Sequence, residues 1–395
     1  MIDDIFLTYQ LAWPLGLTLA WVVGEIVYRW TSMPRIAVYA LVGFLFGNLA
    51  AGYLPPSEGR NFMLLANLAF GLILFELGYR INLRWLRANP WIVVTSLLEA
   101  GLTFVAVYLV AHFCGTPPLV AALLAALAMS SSPAGLLRVV NEEASSGQVT
   151  ERAIHLSALN CVMAVFAFKV IVAIGLLQTS GDLLHAAWTS LAVLTFSGAL
   201  GWMLGKLVPL FLHRMENPAR DATLAFTIAV FLLVAVTHVL KLSPVLAALT
   251  FGVVARHRRV SLSPAQRNFG VLGDLLSVLL FFFVATKLEF DQVVAGLALG
   301  LLLVLVRAAV KVSVCAGFAR VSGISHRKGA LTGMAIMPMA VFAILLLEQT
   351  RRLGVEMFDS LAPLAAVTLL LEVVAPVLTQ RAVIWAREAR TQREK

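Results

Sequence analysis

The sequence predicts an all-α polytopic membrane protein of about thirteen transmembrane helices, built as inverted repeats around two crossing broken helices. Three observations predict it. Apolar residues fill 60% of 395 positions and charged residues only 13%, with a mean hydropathy of +0.90. A soluble domain of this size would expose too much apolar surface. Segments of about 20 apolar residues recur along the whole length, each long enough to cross about 30 Å of hydrocarbon as a helix. Two of these segments are interrupted near their middle by proline, in SSSPAG at 130–135 and GMAIMPMA at 333–340.

The first span, near 8–28, follows an acidic MIDD that lacks a basic n-region, so no cleavable signal peptide is read there. The next spans lie near 36–54, 62–79 and 90–112, and Gly43 and Gly47 give the second a small-xxx-small spacing suited to close helix packing. The fifth, 118–138, holds the first break. Spans six and seven follow near 153–177 and 186–212, the latter with Ser197, Gly201 and Gly205 in a doubled small-residue spacing. Spans eight and nine, 222–240 and 243–256, are joined at Lys241–Pro244, which leaves a single kinked helix open. Spans ten and eleven lie near 271–287 and 294–318, and Gly296 and Gly300 repeat the small-residue spacing in the latter. The twelfth, 329–349, holds the second break, and the thirteenth covers 360–380. Residues 1–395 thus read as one transmembrane domain with repeats of roughly 36–177 and 243–380, and with no soluble regulatory domain.

Basic residues orient the spans. With the amino terminus outside, 22 of the 30 Lys and Arg fall on the cytoplasmic side, 5 outside and 3 within spans. That split follows the positive-inside rule for an odd number of spans, with the carboxyl terminus cytoplasmic. Orientation and anionic lipid then account for the net charge of +9 without nucleic acid. The expected location is a bacterial inner (plasma) membrane. Three cysteines, Cys114, Cys161 and Cys315, form no disulfide framework. No zinc motif, Walker loop, dinucleotide fingerprint or nucleophile elbow occurs, so neither an enzyme nor a cofactor is expected.

Non-helical backbone at membrane depth is tolerated where it is buried in protein or lines a cavity, so the breaks mark the transport site. Pro133 removes a helical hydrogen bond, and Ser130, Ser131 and Ser132 with the freed carbonyls can replace part of an ion's water shell. Around Pro338 only carbonyls can contribute. The breaks lie seven spans apart, and an odd offset means opposite orientation, as an inverted repeat requires.

These residues resemble the monovalent cation/proton antiporter superfamily, with its sodium/hydrogen exchanger-like membrane domain. SSSPAGLLRVVNEEASSGQVTERAIHLSALN looks like that family's broken helix, connection and following helix. FELGYRIN at 75–82 is similar to its phenylalanine–glycine motif, and FFFVATKLEF at 281–290 and GMAIMPMAVFAILL at 333–346 resemble its later motifs. The resemblance implies a homodimer and a six-helix core that moves against a dimerisation panel. It also implies one site where a monovalent cation and protons compete. An essential aspartate is expected at the place of Cys161, preceded by an amide or acid, which Asn160 supplies. Ala340 and Val341 stand where a glycine and an acid are common, and Arg307 matches a basic residue of the preceding helix.

Ionisable groups inside hydrocarbon are functional candidates. Cys161 carries a proton only if cations lower its pKa, and it otherwise serves as a small apolar filler. Glu76, a secondary transport-site candidate, and Glu25 each precede an arginine by four residues, Arg80 and Arg29, so each reads either as a helical ion pair or as a working acid. Arg307 and Lys311 lie about 40° apart on one helix face and need an anion or an acid. Glu372 is expected to pair with one of them and to replace the missing aspartate. Glu99 has no local partner and reads equally as packing or as a working group. Lys169 is either neutral or the partner of Glu99, and His155 is a candidate pH sensor. The leading function is exchange of Na+ or K+ for protons by alternating access. An anion or organic-solute carrier, and a transport-inactive sensor or assembly protein, are the alternatives.

Overall fold

The computed structural model describes residues 2–49, 56–176, 183–214, 218–257, 269–339 and 362–389, and every regular element among them is an α-helix. The chain begins with α1 (Ile2–Thr31), α2 (Arg35–Leu49), α3 (Pro56–Arg80), the short α4 (Leu83–Ala88) and α5 (Trp91–Phe113). The first interrupted span is two half-helices, α6 (Pro118–Met129) and α7 (Pro133–Glu142). Then come α8 (Gln148–Leu176), α9 (Leu183–Leu212), α10 (Pro218–Val239), α11 (Pro244–His257), α12 (Gly270–Ala285) and α13 (Phe290–Gly317). The second interrupted span opens with α14 (His326–Ala335); its continuation, with Ala340 and Val341, lies outside the described residues. The last helix is α15 (Ala362–Trp385).

Among the described residues nine helices or helix pairs are long and apolar enough to span a bilayer, and α2, α11 and α12 are shorter apolar helices. Proline punctuates the chain: α3, α6, α7, α10 and α11 all begin on it, where its missing N–H has no helical partner to lose. Lys241, with φ of 54°, turns the chain between α10 and α11, so the region around Lys241–Pro244 joins two helices and is not one kinked rod.

The helices pack as two sets. One comprises α5 to α8 with α13 to α15, and the other α1 to α3 with α9 to α12. The second set closes where small residues let backbones touch. A Cβ on Gly78 would stand 2.1 Å from the carbonyl of Leu249, one on Gly252 2.2 Å from that of Phe75, and one on Gly201 2.1 Å from that of Ala247. Beside this contact Phe75 packs edge-on against Phe251 and tilted against Phe226, with ring centres 4.8 and 5.0 Å away. The FELGYRIN sequence therefore supplies an aromatic plug and the glycine that lets it seat. Gly252→Val has no room to relax, because the obstruction is backbone. It should lower the thermal midpoint by the equivalent of at least about 1–3 kcal/mol, the ordinary range for overpacking, as read by a melting curve in detergent.

The face where α7 ends and α8 begins is tied by polar contacts. Arg138 on α7 donates to Asp274 and to the Gly273 carbonyl on α12, both at 2.8 Å. Glu142 meets Arg35 at 3.5 Å. Glu388, beyond α15, caps α8: its carboxylate accepts from the N–H groups of Val149 and Thr150 and from the Thr150 hydroxyl at 2.8–2.9 Å. An anion there satisfies free first-turn donors and opposes the positive helix end. A partly open cavity of about 750 Å³ lies at this face, lined by Glu25, Arg35, Tyr39, Arg138, Glu142 and Asp274 among others.

Candidate ion site at the interrupted helices

The first helix breaks because Ser130 adopts an extended conformation and Pro133 cannot donate backward. Two of the three expected hydroxyls are consumed in finishing the half-helices. Ser130 donates to the Leu127 carbonyl at 2.7 Å, and Ser132 caps α7 by accepting the Gly135 N–H at 3.0 Å. The backbone N–H of Ser132 donates to the carbonyl of Pro338 at 2.7 Å, so the two interrupted segments meet through main chain. Ser131 turns its hydroxyl toward Lys311 and Asn160 on other helices.

Its surroundings hold a buried charge pair. The Lys311 ammonium on α13 donates to Oε1 of Glu99 on α5 at 2.5 Å, and both side chains are fully buried. The carboxylate also accepts from the Thr103 hydroxyl at 3.2 Å and, on Oε2, from the Asn160 amide at 2.5 Å. Lys311 reaches the Ser131 hydroxyl at 3.2 Å and the Met129 carbonyl at 3.4 Å. Ser96 completes the cluster by donating to Asn160 Oδ1 at 2.7 Å.

Arg307, one turn earlier on α13, is 1% exposed and serves a different purpose. Nε donates to the Ala128 carbonyl at 2.9 Å, Nη2 to Ser130 at 2.8 Å and Nη1 to Met337 at 2.5 Å. These carbonyls lie at the carboxyl ends of α6 and α14, where helical partners have run out. Each such end carries roughly half a negative charge, so the two together oppose one guanidinium. The paired positive charges expected on this face thus find an acid for one and two half-helix ends for the other.

The acid is not the expected one. Glu372 on α15 is 4% exposed, and among the described residues neither of its oxygens has a hydrogen-bond partner. It pairs with neither Arg307 nor Lys311. Lys169 on α8 is not the partner of Glu99 either, since Lys311 holds that place; it is half-buried. Cys161 is fully buried and donates its thiol to the Ser131 carbonyl at 3.0 Å, beside the Ser157 hydroxyl, which reaches the same oxygen at 3.3 Å. Glu76 makes the expected pair with Arg80 at 2.9 Å, and Asn141 on α7 joins both residues. Glu25 binds Arg29 as expected, and also Arg35 on α2. His155 is buried, with Nδ1 against the Glu151 carbonyl at 2.7 Å and Nε2 accepting the Asn82 N–H at 3.2 Å. One nitrogen donates and the other accepts, which is a neutral ring.

Sequence reasoning missed Ser96 and Thr103. Their signal was present: Ser96, Glu99 and Thr103 recur at i, i+3 and i+7, a polar stripe on one face of an otherwise apolar helix.

A fully buried cluster of opposite charges thus lies where two half-helices meet inside a bundle of apolar helices. The chain belongs to the sodium/hydrogen exchanger family: the family model described as sodium/hydrogen exchanger, transmembrane, matches residues 16–385. Its class is therefore that of the membrane cation/proton antiporters, not of enzymes. The fold agrees. The sodium proton antiporter MjNhaP1 from Methanocaldococcus jannaschii, solved at pH 8, superposes with a TM-score of 0.66 at 15% identity, covering 97% of each chain. Its electron-microscopy structure gives 0.70 at 16% identity, covering 98% of this chain and 96% of that one. A comparison with curated protein sequences returns no significant match.

Proposed function

We propose that the chain exchanges a monovalent cation, Na+ or K+, for protons by alternating access, and that Glu99 is the carboxylate for which the cation competes with the protonated Lys311. The supporting observation is the Glu99–Lys311 contact, closed on all sides and bounded by Ser131, Asn160 and Thr103. Hard cations require oxygen ligands, and around Glu99 these are the carboxylate, two hydroxyls and Asn160 Oδ1. The Cys161 sulfur is soft and already bonded to a carbonyl.

Exchange follows from charge. A cation that takes the carboxylate must displace the ammonium, for which the Met129 carbonyl and Ser131 hydroxyl are the nearest alternatives. If Lys311 yields one proton as the cation enters, the enclosed charge does not change. A cluster of constant charge crosses between access states without a new desolvation penalty. One cation for one proton is then the exchange at this pair. Asn160 turns its amide from donor to acceptor between the two states. The basic residues do not call for an anionic substrate, because Arg307 is taken up by carbonyls and Lys311 by Glu99.

In this reading the inverted repeats, 36–177 against 243–380, place the breaks, the amino terminus is outside, and the protein works as a homodimer in the inner membrane. Everted vesicles carrying the protein and acidified by respiration test it. Added Na+ or K+ should dissipate the pH gradient, and the more effective ion is the substrate. A folded protein that leaves the gradient intact with both ions ends the proposal. Cys161→Ala should keep at least half of the wild-type exchange rate in the same assay; loss of activity would move the acid's role to the thiol.

A further inference from the structure

The Glu99–Lys311 pair leaves Glu372 unused. Its carboxyl group is 4% exposed and both oxygens are unpartnered among the described residues. One turn earlier, the Thr368 hydroxyl is 2% exposed and equally unpartnered. A helical threonine commonly donates to the carbonyl four residues back, as Thr379 does to Ala375 at 3.0 Å; Thr368 does not. Four residues apart, the two groups share a face. Thr379, seven residues beyond Glu372, lies within about 20° of it around the helix, and also donates to the Ala335 carbonyl at the end of α14 at 3.0 Å. Glu372 and Thr368 therefore lie on the side of α15 that Thr379, beyond Pro376, turns toward the end of α14.

Charges on the neighbouring elements are committed elsewhere. On α13, Arg307 holds the half-helix carbonyls, Lys311 holds Glu99, and Asp291 is exposed. On α7, Arg138 binds Asp274 and Glu142 binds Arg35 of α2, while Tyr39 of α2 lines the large cavity. His326, Arg327 and Lys328 contact Ala316, Trp385 and Gln148 at the opposite end of α14. An ionised Glu372 would be an uncompensated charge in a buried place, among the most costly states a chain can hold. The neutral acid avoids that cost.

We propose that Glu372, with Thr368, forms a second ion site of the exchanger, one that holds a proton and releases it when the second interrupted helix shifts. The consequence for stoichiometry rests on the antiport reading; the occupancy by a proton does not. Glu99 and Lys311 exchange one cation for one proton, and Glu372 adds a proton to the opposing stroke. The cycle then moves two protons per cation and carries net charge across the membrane.

Two measurements decide it. Purified wild-type protein is treated with a hydrophobic carbodiimide, which reacts with buried carboxyl groups through their protonated form, and the sites are mapped by mass spectrometry. Glu372 should be modified, less so as the pH is raised, while ion-paired Glu99 is spared. An unmodified Glu372 at acid pH overturns the proposal. Second, wild type and Glu372→Gln are reconstituted in liposomes and their reversal potentials measured. The variant should still exchange cation for proton, with the proton-to-cation ratio halved and the transport current lost. An unchanged ratio overturns the proposal. If the variant does not fold, labelling of the wild type decides alone; if no cation is exchanged by the wild type, the antiport reading falls while labelling still judges the proton site.

Discussion

Glu99→Gln is expected to abolish cation/proton exchange and to destabilise the protein together. The two effects share one cause. Glu99 accepts from three donors, Lys311, Asn160 and Thr103. Glutamine offers one carbonyl oxygen and turns an NH2 group toward donors it cannot accept from. Lys311 is left as a buried charge without its counterion, and breaking such a pair from one side costs about 3–5 kcal/mol. The melting curve should fall accordingly, and no added cation should dissipate the vesicle pH gradient. Glu99→Gln combined with Lys311→Met removes both the acid and the stranded charge. That double variant should regain most of the lost stability and none of the exchange. Activity in the double variant would show that the pair is a structural staple and that the exchanged ions bind elsewhere.

The pairing could not be read along the chain, whereas much around it could. Glu76–Arg80 and Glu25–Arg29 are separated by one helical turn, and both pairs form. The first break is punctuated by its own proline and serines, and both half-helices end where those residues stand. Glu99 and Lys311 are 212 residues apart. Their meeting depends on how α5 packs on α13, which is a tertiary fact. Sequence showed that Arg307 and Lys311 share a face; it did not show which helix that face meets. Glu372 and Glu99 share a mid-span position and the lack of a local basic partner, so neither feature separates them. The stripe Ser96–Glu99–Thr103 distinguishes them, since polar groups at helical spacing give an acid an environment. The partners of Arg307 were hidden for another reason: they are backbone carbonyls, and carbonyl ends of half-helices have no residue signature.

Arg307→Ala should be the most damaging single substitution in the core. Arg307 is almost completely buried and bridges α6 to α14 through the Ala128, Ser130 and Met337 carbonyls. Alanine leaves three carbonyls without these donors, each unmet group costing about 1–3 kcal/mol, and opens a large void between two negative helix ends. The loss should exceed that of Glu99→Gln, so the expected readout is little folded protein after extraction, or a sharply lowered melting point. Arg307→Lys is the informative companion. Lysine restores the charge, but its donors radiate from one nitrogen and cannot span both half-helix ends as a planar guanidinium does. It should fold and melt between wild type and the alanine variant, with exchange reduced because the crossing is held at one end only. If Arg307→Ala instead melts like wild type and merely fails to transport, the guanidinium acts on the ion, and the meeting of α6 and α14 is held by the Ser132–Pro338 backbone contact.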